Sequence, residues 1–505
     1  MLILHKPALV LFILLTAIYF ASTSGGVNSG DGSSYALTKS LGESLTVEID
    51  RFKSFTYDVD FARVKGHYYL DREPGLSFLS LPFYVLAKIL SPFAFPPYAG
   101  TNPVVDSESI LQSLTYLTTA VFGSLAVVFL FLICRSFGAS KWISFLSALV
   151  FGLGTLNWKY SAGYFREPVL TSFLLASVYL LILPLPLKKL KSGFWVKAIS
   201  GFLFGLGLFV DYSKFYLFPF FLLYLFFRNI SQVKYAVSAF LLGVSVPLIF
   251  IFSYNFRVFN NPFTNPHLHK TYFRWMSDPA LLFSIPLIPG IRTNLISNGP
   301  IAEDVLVFFK NNPSVAEQYA VELYHTWMYK GILVQTPLLI LAIFGWFFIF
   351  RKKFWESLLF IICAVSIFVS TSKLTVFWGS INQDGRYFLP VVALLFPGLA
   401  VFINESLKIR NRFVRNLLIL VTVFLSIISV YNGWYSNITQ FAPKNTGFYR
   451  FNYSSLSSPL FSLNNLKLIL INTFPNFLNT IFLIPLYAFI PYIPVRIFKN
   501  IKTRS

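Results

Sequence analysis

Residues 110–133 and 235–254 each run for twenty residues or more without a charged side chain. Similar apolar runs recur along nearly the whole chain. A bilayer core about 30 Å thick is crossed by ~20 residues rising 1.5 Å each. Hydrocarbon offers no partner for a bare N–H or C=O, so such runs must close their hydrogen bonds internally. The sequence therefore predicts an all-α polytopic membrane protein. Spans are expected near 5–22, 110–133, 143–157, 168–187, 198–211, 215–227, 235–254, 332–350, 357–376, 387–403, 416–433 and 477–494, about 12 transmembrane helices. The first run resembles a signal peptide, but no small-residue cleavage site precedes Asp31, so it is read as a retained helix. Cys134 and Cys363 fall in or at the ends of spans and imply no disulfide framework.

The net charge of +21 would suit a nucleic-acid binder, yet its distribution points elsewhere. With the N-terminus inside, basic clusters fall on the cytoplasmic side at 188–197, 351–353, 408–415 and 496–504, opposed only by Glu356 and Glu405. Such asymmetry is the signature of membrane orientation and argues against nucleic acid as a partner. Both termini are then cytoplasmic, and the other carboxylates lie on the outer face.

One further apolar stretch, 75–92, carries Ser77, Ser80, Tyr84, Lys88 and Ser91 at steps of three and four. That polar stripe predicts an amphipathic helix lying on the outer surface rather than a span. The expected organisation is a single membrane domain, 1–505. Its outer loops are 23–109, holding the first motif and the amphipathic helix, 255–331 and 434–476. No separate soluble domain or repeat is evident.

Asp31 follows the first span within "GDGSSYALTKSL", residues 30–41. Gly30 and Gly32 allow a tight bend and a close approach to the carboxylate, and Tyr35 lies one helical turn later. The plainer reading of Asp31 is an N-cap of the helix that follows.

Downstream stands "GHYYLDREPGLSFLSLPFY", residues 66–84. It resembles the first-loop signature of the GT-C glycosyltransferases, a superfamily that includes protein O-mannosyltransferases and lipid A aminoarabinose transferases. The pattern is carried here by Tyr69, Asp71, Arg72, Pro74 and Gly75, with Arg72 where the pattern has lysine. Further segments resemble the family in order: "GTLNWKYSAGYFREP" (154–168), "YNFRVFNNPF" (254–263), "KGILVQTPLLILAIFGW" (330–346) and "WGSINQDGRYFLPVVALLFPGL" (378–399). The resemblance implies a GT-C-like helix bundle with large outer loops. It also implies transfer of a sugar from a polyprenyl phosphate to a hydroxyl on a protein, lipid or glycan, at the outer face of a prokaryotic plasma membrane.

Such a transfer needs a base for the hydroxyl proton and positive charge for the departing phosphate. Asp31 matches the family's first-loop acid and is the expected base, directly or through a divalent metal. Glu167 matches a second acidic position and would share that metal or orient the acceptor. Arg72 and Arg386 are the expected phosphate ligands, because a guanidinium offers a charged two-point fork. Tyr35 and Asp71 complete the expected donor-binding set.

Each assignment has a plainer counterpart: Arg72 as an ion pair with Asp71 or Glu73, Arg386 as a snorkelling helix end, and Glu167 as neutralised by Arg166. His267 and His269 would share one side of an extended chain, but no nearby carboxylate completes a metal set. His67, Asp211, Lys214, His325 and Lys330 fall on the outer side, where ordinary loop or cap roles suffice. The sequons at Asn437 and Asn452 face outward. No "WWDYG"-type sequence is present, which argues against en bloc glycan transfer to asparagine. Two other classes fit a polytopic chain: a lipid-linked sugar flippase, and a non-catalytic scaffold of the same ancestry.

Overall fold

The computed structural model describes residues 6–23, 27, 29–91, 107–183, 190–272, 274–299, 329–375 and 385–440. Helices dominate: α1 (Lys6–Ala21), α2 (Ser29–Ser44), α3 (Gly75–Leu90), α4 (Ser107–Thr115), α5 (Leu117–Ser136), α6 (Lys141–Gly154), α7 (Leu156–Ser161), α8 (Arg166–Ile182), α9 (Leu190–Val210), α10 (Phe218–Arg228) and α11 (Val233–Phe259). The chain continues with α12 (Pro279–Leu282), α13 (Leu287–Ile296), α14 (Ile332–Gln335), α15 (Leu339–Lys352), α16 (Phe354–Ser372), α17 (Leu389–Leu395), α18 (Pro397–Ser406) and α19 (Arg412–Gln440).

Six helical segments among the described residues are long and apolar enough to cross a membrane: Ile110–Ser136, Gly193–Val210, Ile230–Phe259, Phe354–Ser372, Arg386–Ser406 and Arg412–Trp434. The protein is an integral membrane protein. Each of the eleven spans expected between residues 5 and 433 overlaps helix among the described residues, with ends displaced by several residues and the 332–350 stretch broken between Gln335 and Leu339. The expected span at 477–494 and most of the 434–476 loop lie outside the described residues, as does His325.

Lipid tails are as apolar as leucine, so these helices associate through close packing rather than burial from water. α5 packs on α1 and α8, α8 on α9, and α9 on α11. The α9–α11 contact needs Gly243, where a Cβ would sit 1.8 Å from the Ala198 carbonyl oxygen. α19 packs on α6 and turns Leu420, Phe424 and Ile427 outward, as a helix at the lipid boundary does.

At one end of the bundle the first loop folds back onto the domain. Ala36, Leu37, Leu41, Ile49, Phe52, Phe61, Ala62 and Leu70 form a compact apolar cluster with Tyr254, Val258 and Phe259 at the end of α11. Within it, β1 (Ala62–Val64) and β2 (His67–Tyr69) pair antiparallel with Val64 opposite His67. The hairpin turns through Lys65 and Gly66 with φ of 51° and 91°. Positive φ at both central residues matches the right-handed strand twist, and glycine adopts it without penalty.

α3 corrects one expectation. Only part of its polar stripe faces water: Ser77, Ser80 and Tyr84 are fully buried, whereas Lys88 is exposed alongside Val85, Leu86 and Ile89. The reason is α2, which carries polar groups along its length and supplies partners for the Ser77 and Tyr84 hydroxyls. Ser77 Oγ donates to the Ser34 carbonyl at 2.8 Å, and Tyr84 OH donates to Glu43 at 2.7 Å. Val85, Leu86 and Ile89 on the other side of α3 are thereby left exposed.

Candidate functional site

α2 begins at Ser29, earlier than an Asp31 cap would allow. Asp31 therefore sits inside the first helical turn, where a carboxylate is favoured by the positive end of the helix dipole. It is buried, with about 9% of its surface exposed, and its charge reaches Tyr57 and Tyr116. Burial first, and Asp31 second, raise the Tyr57 phenol.

The flanking glycines serve close packing rather than a sharp bend. A Cβ on Gly30 would lie 2.5 Å from Arg72 Nη1, and one on Gly32 would lie 2.0 Å from the Phe55 carbonyl oxygen. The Arg72 guanidinium thus rests on the backbone beside Asp31.

Arg72 is held from its other side by carboxylates. Its Nε donates to Asp71 Oδ1 at 2.9 Å and its Nη2 to Asp60 Oδ1 at 2.8 Å. Lys270 donates to the same two acids, to Asp60 at 3.3 Å and more closely to Asp71. Asp71 is fully buried. Burial would raise its carboxyl, but Arg72 and Lys270 outweigh that effect and hold it well below the usual carboxylate range. Asp71 is accordingly a counter-ion that orients Arg72.

The next residue, Glu73, pairs with Arg166 and lies 3.5 Å from His267 Nε2. Burial would raise the Glu73 carboxyl, but Arg166 and His267 together outweigh it and depress this carboxyl too. Arg166 therefore does not take the place expected for it as neutraliser of Glu167. Glu167, in the first turn of α8, has Arg386 as its partner, with Arg386 Nε 3.3 Å from Oε1. Arg386 lies over the Phe165 ring at 5.2 Å and donates from Nη2 to Tyr387 OH at 3.1 Å. A guanidinium this close to Glu167 does not fit a metal ion bound at that carboxylate.

Tyr35 is fully buried, and its hydroxyl donates to Glu108 at 2.8 Å. Its ring meets those of Phe55, Tyr84 and Tyr164 edge-on. Its place is a packed wedge between α2 and the bundle, supporting Asp31 one turn away. Asp211 caps the turn after α9 by accepting from Ser213 N at 3.0 Å, and pairs with Lys214 at 3.3 Å.

Lys270, Asp60 and Arg166 were not legible as site residues. Lys270 ends "NPHLHK", where the histidines draw attention. The segment is not extended: Pro266–His269 forms a 3-10 turn that sends the two rings to different partners. His267 meets Glu73, whereas His269 bonds Thr264 at 2.9 Å and stacks on Phe259. Burial lowers the His269 imidazole below its ordinary value. Among the described residues, one group has the side chains of a metal set: Glu48, Asp50 and His67, with ligand atoms within 4.8 Å of one another. It is mostly exposed on the hairpin and includes neither Asp31 nor Glu167.

The architecture has known counterparts. The apo oligosaccharyltransferase of Archaeoglobus fulgidus superposes with a TM-score of 0.50 at 13% identity, over 85% of this chain and 55% of that one. Its complex with zinc and sulfate gives 0.50 at 12% identity, over 84% and 53%. The fold is GT-C. ArnT from Cupriavidus metallidurans bound to undecaprenyl phosphate gives 0.46 at 11% identity, over 92% of this chain and 77% of that one. This chain spans about half the length of the archaeal oligosaccharyltransferase it matches. No protein-family model and no curated protein sequence matches this chain.

Proposed function

We propose that this protein is a membrane glycosyltransferase that moves a sugar from a polyprenyl-phosphate donor to an acceptor hydroxyl on the side of the long loops. The observation that carries the reading is the packing of the Arg72 guanidinium on the backbone of Gly30, immediately beside buried Asp31. The transfer requires a base and a cation near each other, and a guanidinium packed on the residue before Asp31 supports that reading. A charge at a bilayer edge is costly unless protein and water solvate it, which makes such residues functional candidates.

In this scheme Asp31 accepts the proton of the acceptor hydroxyl as its oxygen attacks the anomeric carbon. The bond from that carbon to the phosphate oxygen breaks, and polyprenyl phosphate leaves with the electron pair. Arg72 and Arg386 offset the negative charge gathering on it. Asp60, Asp71 and Lys270 hold Arg72 in place, so little reorganisation is needed as charge develops. A single displacement inverts the anomeric configuration. The lipid tail of the donor would pass along the exposed apolar face of α3.

The acceptor is a hydroxyl on protein, lipid or glycan. The working face is extracytoplasmic in a prokaryotic plasma membrane, with the described N-terminal helix entering from the cytoplasm. Asp31 acts directly in this scheme, and no step passes through a metal.

The decisive experiment compares transfer from a panel of polyprenyl-phosphate monosaccharides in vesicles bearing wild-type or Asp31→Asn protein at equal insertion. Transfer by wild type and its loss in the variant is expected. Equal transfer by both removes Asp31 as base, and no transfer by either favours a flippase or scaffold.

A further inference from the structure

Glu167 is 3% exposed, and its Oε2 has no hydrogen-bond partner among the described residues. A carboxylate oxygen in that state forgoes a large part of its solvation and creates a demand for a donor. Beside it, Arg386 Nε is also without a hydrogen-bond partner. The two side chains are close enough to form an ion pair at 3.3 Å, yet not aligned as a hydrogen bond. An orphan acceptor and an orphan donor thus lie next to each other, at the outer ends of α8 and of the segment that begins at Arg386.

Three kinds of group satisfy a carboxylate oxygen: a metal ion that it ligates, an ammonium, and a neutral hydroxyl or amide donor. Arg386 repels the first two, because a second cation at the free oxygen would sit beside a fixed guanidinium in a poorly solvated place. A hydroxyl is neutral, and it both donates and accepts. It can give its proton to Glu167 Oε2 while its oxygen accepts from Arg386 Nε. Phe165 lies over the guanidinium at 5.2 Å and Tyr387 flanks it at 5.0 Å, which pins Arg386 and gives the place an aromatic wall.

We propose that Glu167 and Arg386 form a subsite that recognises a hydroxyl group of an uncharged sugar. This rests on the transferase reading above and deepens it. The pair is a specificity determinant, and Arg386 can still meet phosphate through its remaining N–H groups. The hydroxyl belongs either to the donor's sugar or to a sugar acceptor, and the same chemistry serves both.

The test measures binding to the protein in lipid nanodiscs. The probes are undecaprenyl phosphate, the same lipid carrying each of a panel of neutral hexoses and pentoses, and the corresponding free methyl glycosides. Wild type is compared with Glu167→Gln and with Glu167→Gln/Arg386→Gln, the double variant avoiding a lone buried guanidinium should the single one fold poorly. For a hydroxyl from the donor, wild type binds a glycosylated lipid more tightly than the bare lipid by about 10- to 100-fold. Both variants lose that preference; Glu167→Gln keeps affinity for the bare lipid within a few-fold of wild type, whereas the double variant, which also removes a phosphate ligand, binds the bare lipid more weakly. For a hydroxyl from the acceptor, binding of a methyl glycoside is what the variants lose.

Substitutions that change neither kind of sugar binding, or a wild type that binds no sugar-bearing probe beyond its affinity for the bare lipid, overturn the subsite. Binding of bare undecaprenyl phosphate with no gain from any sugar leaves the transferase reading standing while removing this inference. Failure of every probe, the bare lipid included, removes both.

Discussion

Lys270, from the second long loop, is held by Asp71 of the first, and its neighbour Thr271 donates its backbone N–H to the Phe61 carbonyl at 3.1 Å. Two loops separated by some two hundred residues of chain are therefore joined at a buried charge. The joint lies directly behind the guanidinium that rests beside Asp31.

Replacing Lys270 with methionine leaves Asp60 and Asp71 with Arg72 alone. Breaking a buried pair by removing one partner costs about 3–5 kcal/mol. A lowered unfolding midpoint in detergent is expected, together with reduced transfer, and Lys270→Arg should recover part of both. An unchanged midpoint in the methionine variant would show that the joint contributes nothing.

Gly30→Ala brings a methyl group to within 2.5 Å of Arg72 Nη1. The guanidinium must move, at an overpacking cost of about 1–3 kcal/mol. Transfer should fall by more than tenfold with insertion preserved. The measurement is initial rate at saturating donor, and wild-type turnover would contradict the packing.

Asp31→Asn keeps shape and removes the basic oxygen. Loss of a general base lowers rate by about 10²- to 10⁴-fold. Stability should stay within about 1 kcal/mol of wild type, which separates this variant from Lys270→Met. The two are read together by rate and thermal unfolding.

Stability should respond to acid through Asp71 and Glu73. Both carboxyls are depressed in the folded protein, so their contribution is complete above the ordinary carboxylate range near pH 4 and is lost as pH falls below it toward the folded values. Unfolding midpoints measured from pH 7 to pH 3 should drop at the acid end. In an Arg72→Gln variant the Asp71 part of that drop should shrink, since one of the two cations depressing it is gone while Lys270 remains.

The inverted amphipathicity of α3 can be read with a spin label. A label at Ile89 should be relaxed by oxygen dissolved in lipid, whereas one at Lys88, half exposed near Glu43, should respond more to a water-soluble relaxer. Equal response at both would mean that α3 does not lie with Ile89 toward lipid.

The apolar runs by themselves determined that this chain is a bundle of membrane helices, because hydrocarbon permits few other ways to satisfy a backbone. The order of short segments such as 66–84 and 154–168 pointed to the GT-C architecture, and the fold comparison agrees. Asp31, Arg72, Glu167 and Arg386 drew attention because ionisable side chains beside apolar runs are rare. Partnership was another matter. That Glu167 belongs to Arg386 and Arg166 to Glu73, that Lys270 stands behind Arg72, and that the serines of α3 face inward are decided only when distant segments meet. A buried charge or hydroxyl is directed by whichever group completes it in three dimensions, and neighbours in the chain do not reveal that group.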